Sequence, residues 1–121
     1  MMAYVEEQQL SLFDLLAGAD PGPQPGDWVE EHGPELTFEQ TVQRLGELVV
    51  MDMSTESHAW YKVERLEQVI EHEGGRRLIL YDGKHQRSLV NEMYFDKSLA
   101  RFPARAYLLA GQTIEEIFPN T

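Results

Sequence analysis

The sequence contains no cysteine, which excludes a disulfide framework, a thiolate zinc site and a cysteine nucleophile. It also lacks any run near the ~18 apolar residues that a membrane-spanning helix needs. Its first residues carry acid where a secretory signal peptide carries Lys or Arg. These absences predict a cytoplasmic protein of bacterial or phage type. The length of 121 residues allows one domain with a tail.

Basic residues are missing from the first third of the chain. Residues 1–43 hold nine acids and no Lys or Arg, and all ten basic residues lie between Arg44 and Arg105. The segment 74–105 carries seven basic residues against three acids. This asymmetry predicts an acidic arm ahead of a mildly basic domain. The net charge of −11 argues against a general duplex-DNA binder, because the DNA phosphates would repel it.

Proline and glycine are concentrated in one short stretch. Residues 17–26 contain three prolines and three glycines, and these two residue types oppose regular structure. We therefore divide the chain into three parts. They are a flexible acidic arm (residues 1–16), a Pro/Gly-rich linker (residues 17–35) and a small domain (residues 36–121).

The pattern after the linker predicts an α+β domain. Thr37 and Gln40 form a capping-box pattern, and Phe38, Val42 and Leu45 recur at helical spacing. These two signals predict an N-terminal helix. Residues 59–72 fit either a helix or a strand, and the hairpin turn that follows them favours a strand. Further strands are predicted at residues 48–53, 77–81, 86–90 and 104–109. Short strands joined by tight turns predict a small curved antiparallel β-sheet or an SH3-like barrel, closed by the helix.

The polar residues give no sign of catalysis. The four histidines lack metal-binding spacing, and Glu71-His72-Glu73 is better interpreted as a solvated turn. Asp82-Gly83-Lys84 lacks the features of a phosphate loop, and no nucleophile elbow is present. We expect no enzyme activity, cofactor, metal or small-molecule substrate. The predicted core residues are Trp60, Leu78, Leu80, Leu89, Phe95 and Leu108.

The basic segment allows two interpretations. It could form a surface for single-stranded nucleic acid or for another partner, with Tyr81, Tyr94 and Phe102 available for base stacking. Alternatively, strand alternation places the charges in water and the aromatic rings in the core, and we favour this second interpretation. Weak binding of single-stranded nucleic acid is then the most to expect. The candidate surface residues are Arg76, Arg77, Lys84, Arg87, Arg101 and Arg105.

The arm contains the pentapeptide Gln9-Leu10-Ser11-Leu12-Phe13. It resembles, at every position, the motif with which bacterial DNA polymerases and mismatch-repair proteins dock on the sliding clamp, the β subunit of DNA polymerase III. The resemblance implies that Gln9 enters a polar pocket, that Leu12 and Phe13 enter an apolar one, and that Leu10 packs at its edge. The resemblance also implies that Ser11 faces solvent. Burial of Leu and Phe contributes ~1.5–3 kcal/mol each, but ordering the peptide offsets much of it, so micromolar affinity is expected.

This resemblance predicts a non-enzymatic accessory protein that binds the sliding clamp as a recruited factor or as a competitor of host clamp partners. The layout also resembles small accessory proteins of phages and conjugative elements, which are mobile genetic elements. One alternative is an arm that packs on the domain through Val5, Leu12 and Leu16, which share a helical face. A second is an acidic inhibitor, anti-CRISPR or anti-restriction, whose carboxylates imitate DNA phosphates or that acts by protein contact.

Overall fold

The computed structural model describes residues 22–98 and 103–119. The pentapeptide, the arm and the first part of the linker therefore lie outside the described residues, as do Arg101 and Phe102. The described part is mostly β, with seven strands, two short α-helices and one 3-10 helix. No helix of this part is long and apolar enough to cross a membrane.

The strands are β1 (Trp28–Val29), β2 (Glu35–Leu36), β3 (Leu48–Asp52), β4 (Tyr61–His72), β5 (Gly75–Tyr81), β6 (Arg87–Asn91) and β7 (Ala106–Tyr107), and the helices are α1 (Phe38–Val42) and α2 (Ile114–Ile117). The 3-10 helix spans Glu92–Phe95. The strands form one antiparallel sheet in the order β2-β7-β3-β4-β5-β6, and β1 pairs with β4 beside this path. The sheet is open, with β2 and β6 at its ends, and it does not close into a barrel.

The long strand β4 organises the sheet. It spans twelve residues and pairs with β3, with β5 and, at its beginning, with β1. The stretch that fitted either helix or strand is therefore a strand, and the predicted hairpin turn between His72 and Gly75 is confirmed. A register shift between Leu66 and Gln68 marks a bulge in β4, where the extra residue bends a strand and increases its twist.

The main hydrophobic cluster covers one face of the sheet. Leu66, Leu78 and Leu80 are fully buried there, and side chains of α1 and α2 pack over them. The predictions for Leu78, Leu80 and Leu108 are confirmed, and Phe95 packs at the edge of the cluster. The predictions for Trp60 and Leu89 are wrong, because 42% and 60% of these side chains are exposed. Trp60 precedes β4, and Leu89 alternates with the inward-facing Val90 along β6.

A smaller cluster lies on the opposite face. Val50, Val63 and Tyr107 form it, and Val29 and Tyr61 pack against it. His32 stacks on the Tyr107 ring with a centroid distance of 3.8 Å. Both faces of the sheet are thus covered near β3, whereas the main cluster alone supports the β5 and β6 end.

Helical structure is less extensive than predicted. The capping box between Thr37 and Gln40 is present, with Gln40 N donating to Thr37 Oγ1 and Thr37 N donating to Gln40 Oε1. The helix that follows spans only five residues, and two strands precede it, so an N-terminal helix that opens the domain is not shown. Leu45, which continued the apolar spacing, is exposed beyond the helix end. The architecture is a small, mostly β antiparallel sheet.

The folded part begins before residue 36, because β1 and the start of β2 lie within the predicted linker. Gly26 N donates to Val63 O at 2.7 Å, and Val63 N donates to Asp27 O at 2.9 Å, so the chain already follows β4 at this point. The linker was assigned from the Pro/Gly content of residues 17–26. That composition says nothing about residues 27–35, whose two-residue strands depend on partners distant in sequence.

Two truncations should therefore differ sharply. A fragment of residues 22–121 should unfold cooperatively, whereas a fragment of residues 34–121 loses β1, the backbone hydrogen bonds of residues 26–27 and the packing of Val29 and His32. Loss of the half-buried Val29 side chain, the His32 ring contact and several hydrogen bonds predicts a destabilisation of ~3 kcal/mol. Urea unfolding followed by circular dichroism measures the difference. Equal stability of the two fragments would contradict this account of β1.

Candidate functional site

The predicted basic surface is divided by the sheet. Arg76 turns toward α1, where its guanidinium pairs with Glu39 and its Nε lies 3.3 Å from Glu92 Oε1. The same guanidinium lies 4.9 Å from the centre of the Phe38 ring. Hydrogen bonds to Glu39 and Glu92 raise the pKa of Arg76 above its ordinary value. Arg76 therefore ties β5 to α1 and does not belong to an open binding surface.

Two further members of the predicted set lie elsewhere. Lys84 is in the loop between β5 and β6, where its chain passes close to Gly26. Arg105 precedes β7 and borders an open groove of about 430 Å³ that also contacts Asp52 and Leu89. Among the described members of the set, Arg77 and Arg87 share a sheet face, on which they lie two rows apart.

Arg77 and Arg87 lie on what we term the outer face, the side of β4–β6 that points away from the main cluster. Arg65, Tyr81 and Arg87 align across the three strands in one row. The next two rows are Gln68-Ile79-Leu89 and Ile70-Arg77-Asn91. Apolar and basic side chains thus alternate over this face, and sequence reasoning missed Arg65 because it lies outside the segment 74–105.

Among the described residues, one arginine of the outer face has an ion pair with a carboxylate, and the other two do not. Arg87 Nε donates to Glu67 Oε1 at 2.9 Å, and its guanidinium lies 4.5 Å from the Tyr81 ring centre. Arg77 Nε donates to the neutral amide oxygen of Asn91 at 2.7 Å. Within residues 22–98 and 103–119, neither Arg65 nor Arg77 has an ion pair. These two cations are available to an acidic ligand.

A second exposed feature is a pair of tryptophans. Trp28 and Trp60 are 54% and 42% exposed, and their rings meet edge to face at 5.1 Å. Lys62 Nζ lies 5.5 Å from the Trp28 ring centre, and the His58 ring is 5.8 Å from that of Trp60. Paired exposed aromatic rings are typical of protein contact surfaces. Trp60 was predicted to lie in the core, so this exposed pair was not predicted from the sequence.

Two buried polar contacts involve β4, the strand that begins directly after Trp60. One joins Lys62 to Asp82, and the other joins Glu64 to Ser88. Lys62 Nζ pairs with Asp82 Oδ2 at 3.0 Å, and hydrogen bonds from the Lys84 backbone and Lys62 lower the pKa of Asp82 to about 2. Ser88 Oγ donates to Glu64 Oε2 at 3.0 Å, while Glu64 Oε1 is buried with no partner among the described residues. Burial raises the pKa of Glu64 above its ordinary value, which the Ser88 hydrogen bond opposes in part.

These opposite shifts predict opposite pH dependences. A raised pKa in the folded state means that Glu64 stabilises the fold below its unfolded pKa and that this contribution is lost as pH rises through the folded pKa. Asp82 contributes stability above pH ~4, which is lost as pH falls toward the folded value of about 2.

We therefore expect the wild type to lose stability relative to the Glu64→Gln variant as pH rises above 4.5. The free energy of unfolding of the variant should exceed that of the wild type by an amount that grows with pH. Urea unfolding across this range measures the difference. A matched Glu67→Gln variant changes a partly exposed carboxyl on the same strand and should give a smaller slope. A flat difference for Glu64→Gln would contradict the raised pKa.

No family model, no curated protein and no solved structure matches the chain. Among the described residues, no group of three His, Cys, Asp or Glu side chains is placed to hold a metal ion.

Proposed function

We propose that the protein is a non-enzymatic accessory factor of a mobile genetic element that docks on the bacterial DNA sliding clamp through residues 9–13. The single observation that carries this proposal is the agreement of Gln9-Leu10-Ser11-Leu12-Phe13 with the clamp-docking motif at all five positions. The pentapeptide supplies the binding energy, and the domain accompanies it to the clamp as a recruited factor or as an obstacle to host partners.

The domain supports this proposal because it has a core of its own. Residues between Val29 and Phe118 form two hydrophobic clusters, one on each face of the sheet. The described residues begin at Gly22, nine positions after the end of the pentapeptide at Phe13, and Pro21, Pro23 and Pro25 lie near this junction. An extended pentapeptide spans ~17 Å, so a clamp cleft can accept it without involving the sheet.

An acidic phosphate mimic is the less favoured function. Such an inhibitor should present free carboxylates on ordered structure. Of the acids in residues 27–39, Glu35 pairs with Lys97 at 3.2 Å and Glu39 pairs with Arg76. Asp27 accepts a hydrogen bond from Gln24 N at 2.8 Å. These carboxylates serve internal contacts, which weakens the case for phosphate mimicry.

Removal of the two apolar anchors should abolish clamp binding. Leu12→Ala with Phe13→Ala removes ~3 kcal/mol or more, which is over a hundredfold in Kd. Leu15→Ala with Leu16→Ala deletes similar apolar groups beside the pentapeptide and should change the Kd by less than about threefold. Calorimetric titration against purified clamp measures both, and the melting temperature should move by no more than a few degrees. Equal losses in the two variants, or a collapse of the fold, would contradict the proposal.

The pentapeptide should also act alone. A synthetic peptide of residues 5–16 should displace the whole protein from the clamp and compete with host polymerase, since both occupy one cleft. A peptide with Gln9→Ala and Phe13→Ala is the matched control and should do neither. If the full-length protein with these two changes blocked a nuclease or a restriction enzyme, the acidic-inhibitor function would replace clamp docking.

A further inference from the structure

We propose that the outer face of β4–β6 is a docking site for the chain's own acidic arm, residues 1–21, and that this contact competes with clamp binding. The inference depends on the proposed function for its consequence, because the arm carries the pentapeptide. The docking itself is a separate claim and can be tested without the clamp.

The outer face combines exposed aliphatic side chains with arginines that are unpaired within the described part of the chain. Ile70 and Leu89 are 42% and 60% exposed, and Ile79 lies between them in neighbouring rows. Arg65 and Arg77 flank these side chains and have no ion pair with any residue that the structure describes. A face that is both apolar and cationic is suited to an acidic peptide with apolar side chains. Nucleic acid would use the cations and leave the aliphatic groups unmatched.

The arm is complementary to the outer face in charge. Residues 1–21 contain four acids and no Lys or Arg. They also contain large apolar side chains at Leu10, Leu12 and Phe13 and again at Leu15 and Leu16. The acids are Glu6, Glu7, Asp14 and Asp20. The arm therefore offers both kinds of group that the outer face can bind.

The first described residues, Pro23 and Pro25 among them, lie on the same side of the sheet as the outer face. Pro23 borders a surface groove together with Val50 and Leu109, so it lies on the side of the small cluster. Val63 belongs to that cluster, and Arg65 follows two residues later on the same side of β4, about 7 Å away. The Cβ of Pro25 lies 3.0 Å from the position a Cβ would take at Gly83, in the loop that leads to Arg87. The described chain thus begins on the side of the sheet that carries the outer face.

Chain length makes the contact accessible. The outer face extends ~13 Å from Arg77 to Tyr81 along β5, and a flexible chain of twenty residues has an end-to-end distance of ~25 Å. A tether of this length gives an effective concentration of about 1 mM. Even a weak contact is then populated, and a closed form that outnumbers the open form about threefold lowers clamp affinity about fourfold.

Docking is tested in the full chain with a spin label. Because the chain has no cysteine, Ser11→Cys provides a single labelling site. We expect the label to broaden the methyl signals of Ile79 and Leu89 more than those of Ile114 and Ile117, which pack on the opposite face. Arg65→Gln with Arg77→Gln should remove this broadening, and Lys97→Gln with Arg105→Gln, an equal change of charge elsewhere, should leave it.

Three results would overturn the inference. The first is broadening that persists in the Arg65/Arg77 variant. The second is broadening that fades on dilution, which would mean that the arm of a second copy occupies the face. The third concerns a single-stranded thymidine oligonucleotide. If it binds the wild type as tightly as a chain whose four arm acids are neutralised to Gln and Asn, the face is open to nucleic acid and the arm does not cover it.

Clamp affinity provides the functional result. At low salt, the unlabelled Arg65/Arg77 variant should bind the clamp about fourfold more tightly than the wild type, with the difference vanishing at high salt because the contact is electrostatic. Equal affinities of the two proteins at low salt would overturn the competition. If neither protein bound the clamp, the proposed function would fail, while the label experiment would still decide whether the arm docks.

Discussion

The pairing of β4 is the interaction on which the described fold depends. One edge of this strand is shared between β1 and β5, and the other holds β3, so every connection between the two ends of the sheet passes through residues 61–72. Three of its side chains, those of Val63, Glu64 and Leu66, are fully buried. Because alternate residues point to opposite faces, the same strand supplies both hydrophobic clusters. The bulge after Leu66 separates two parts of β4. Before it, a hydrophobic cluster packs on each face of the strand, and after it only the main cluster does.

Local signals in the sequence predicted the parts of the fold that depend on local chemistry. The hairpin at Gly74, the capping box at Thr37 and the strand of residues 48–52 follow from turn residues, a cap and β-branched side chains. The two-residue strands β1 and β2 carry no such signal, since they exist through partners more than thirty residues away. The length of α1 was overestimated because helical spacing continued to Leu45, whereas packing ends with Val42.

The candidate surfaces show what composition can and cannot predict. The basic segment was recognised from its charge, but which face each arginine occupies depends on strand phase, and Arg76 and Arg77 point in opposite directions as neighbours. Arg65 joins Arg77 only through register with β5. The exposure of Trp60 depends on its position just before β4, beside Trp28, whose neighbour Val29 packs inward. The pentapeptide stays a prediction from sequence, since it lies outside the described residues.

The edge strand β6 has a consequence for how copies of the protein meet. A bare sheet edge is a template for another strand, and this one carries the exposed Leu89. It is only five residues long, begins with Arg87 and passes directly into the 3-10 helix. Short length and a charged residue are the means by which natural sheets resist edge-to-edge polymerisation. The strand therefore offers too few residues for a growing fibre to pair with, which favours separate molecules over stacked sheets at high protein concentration.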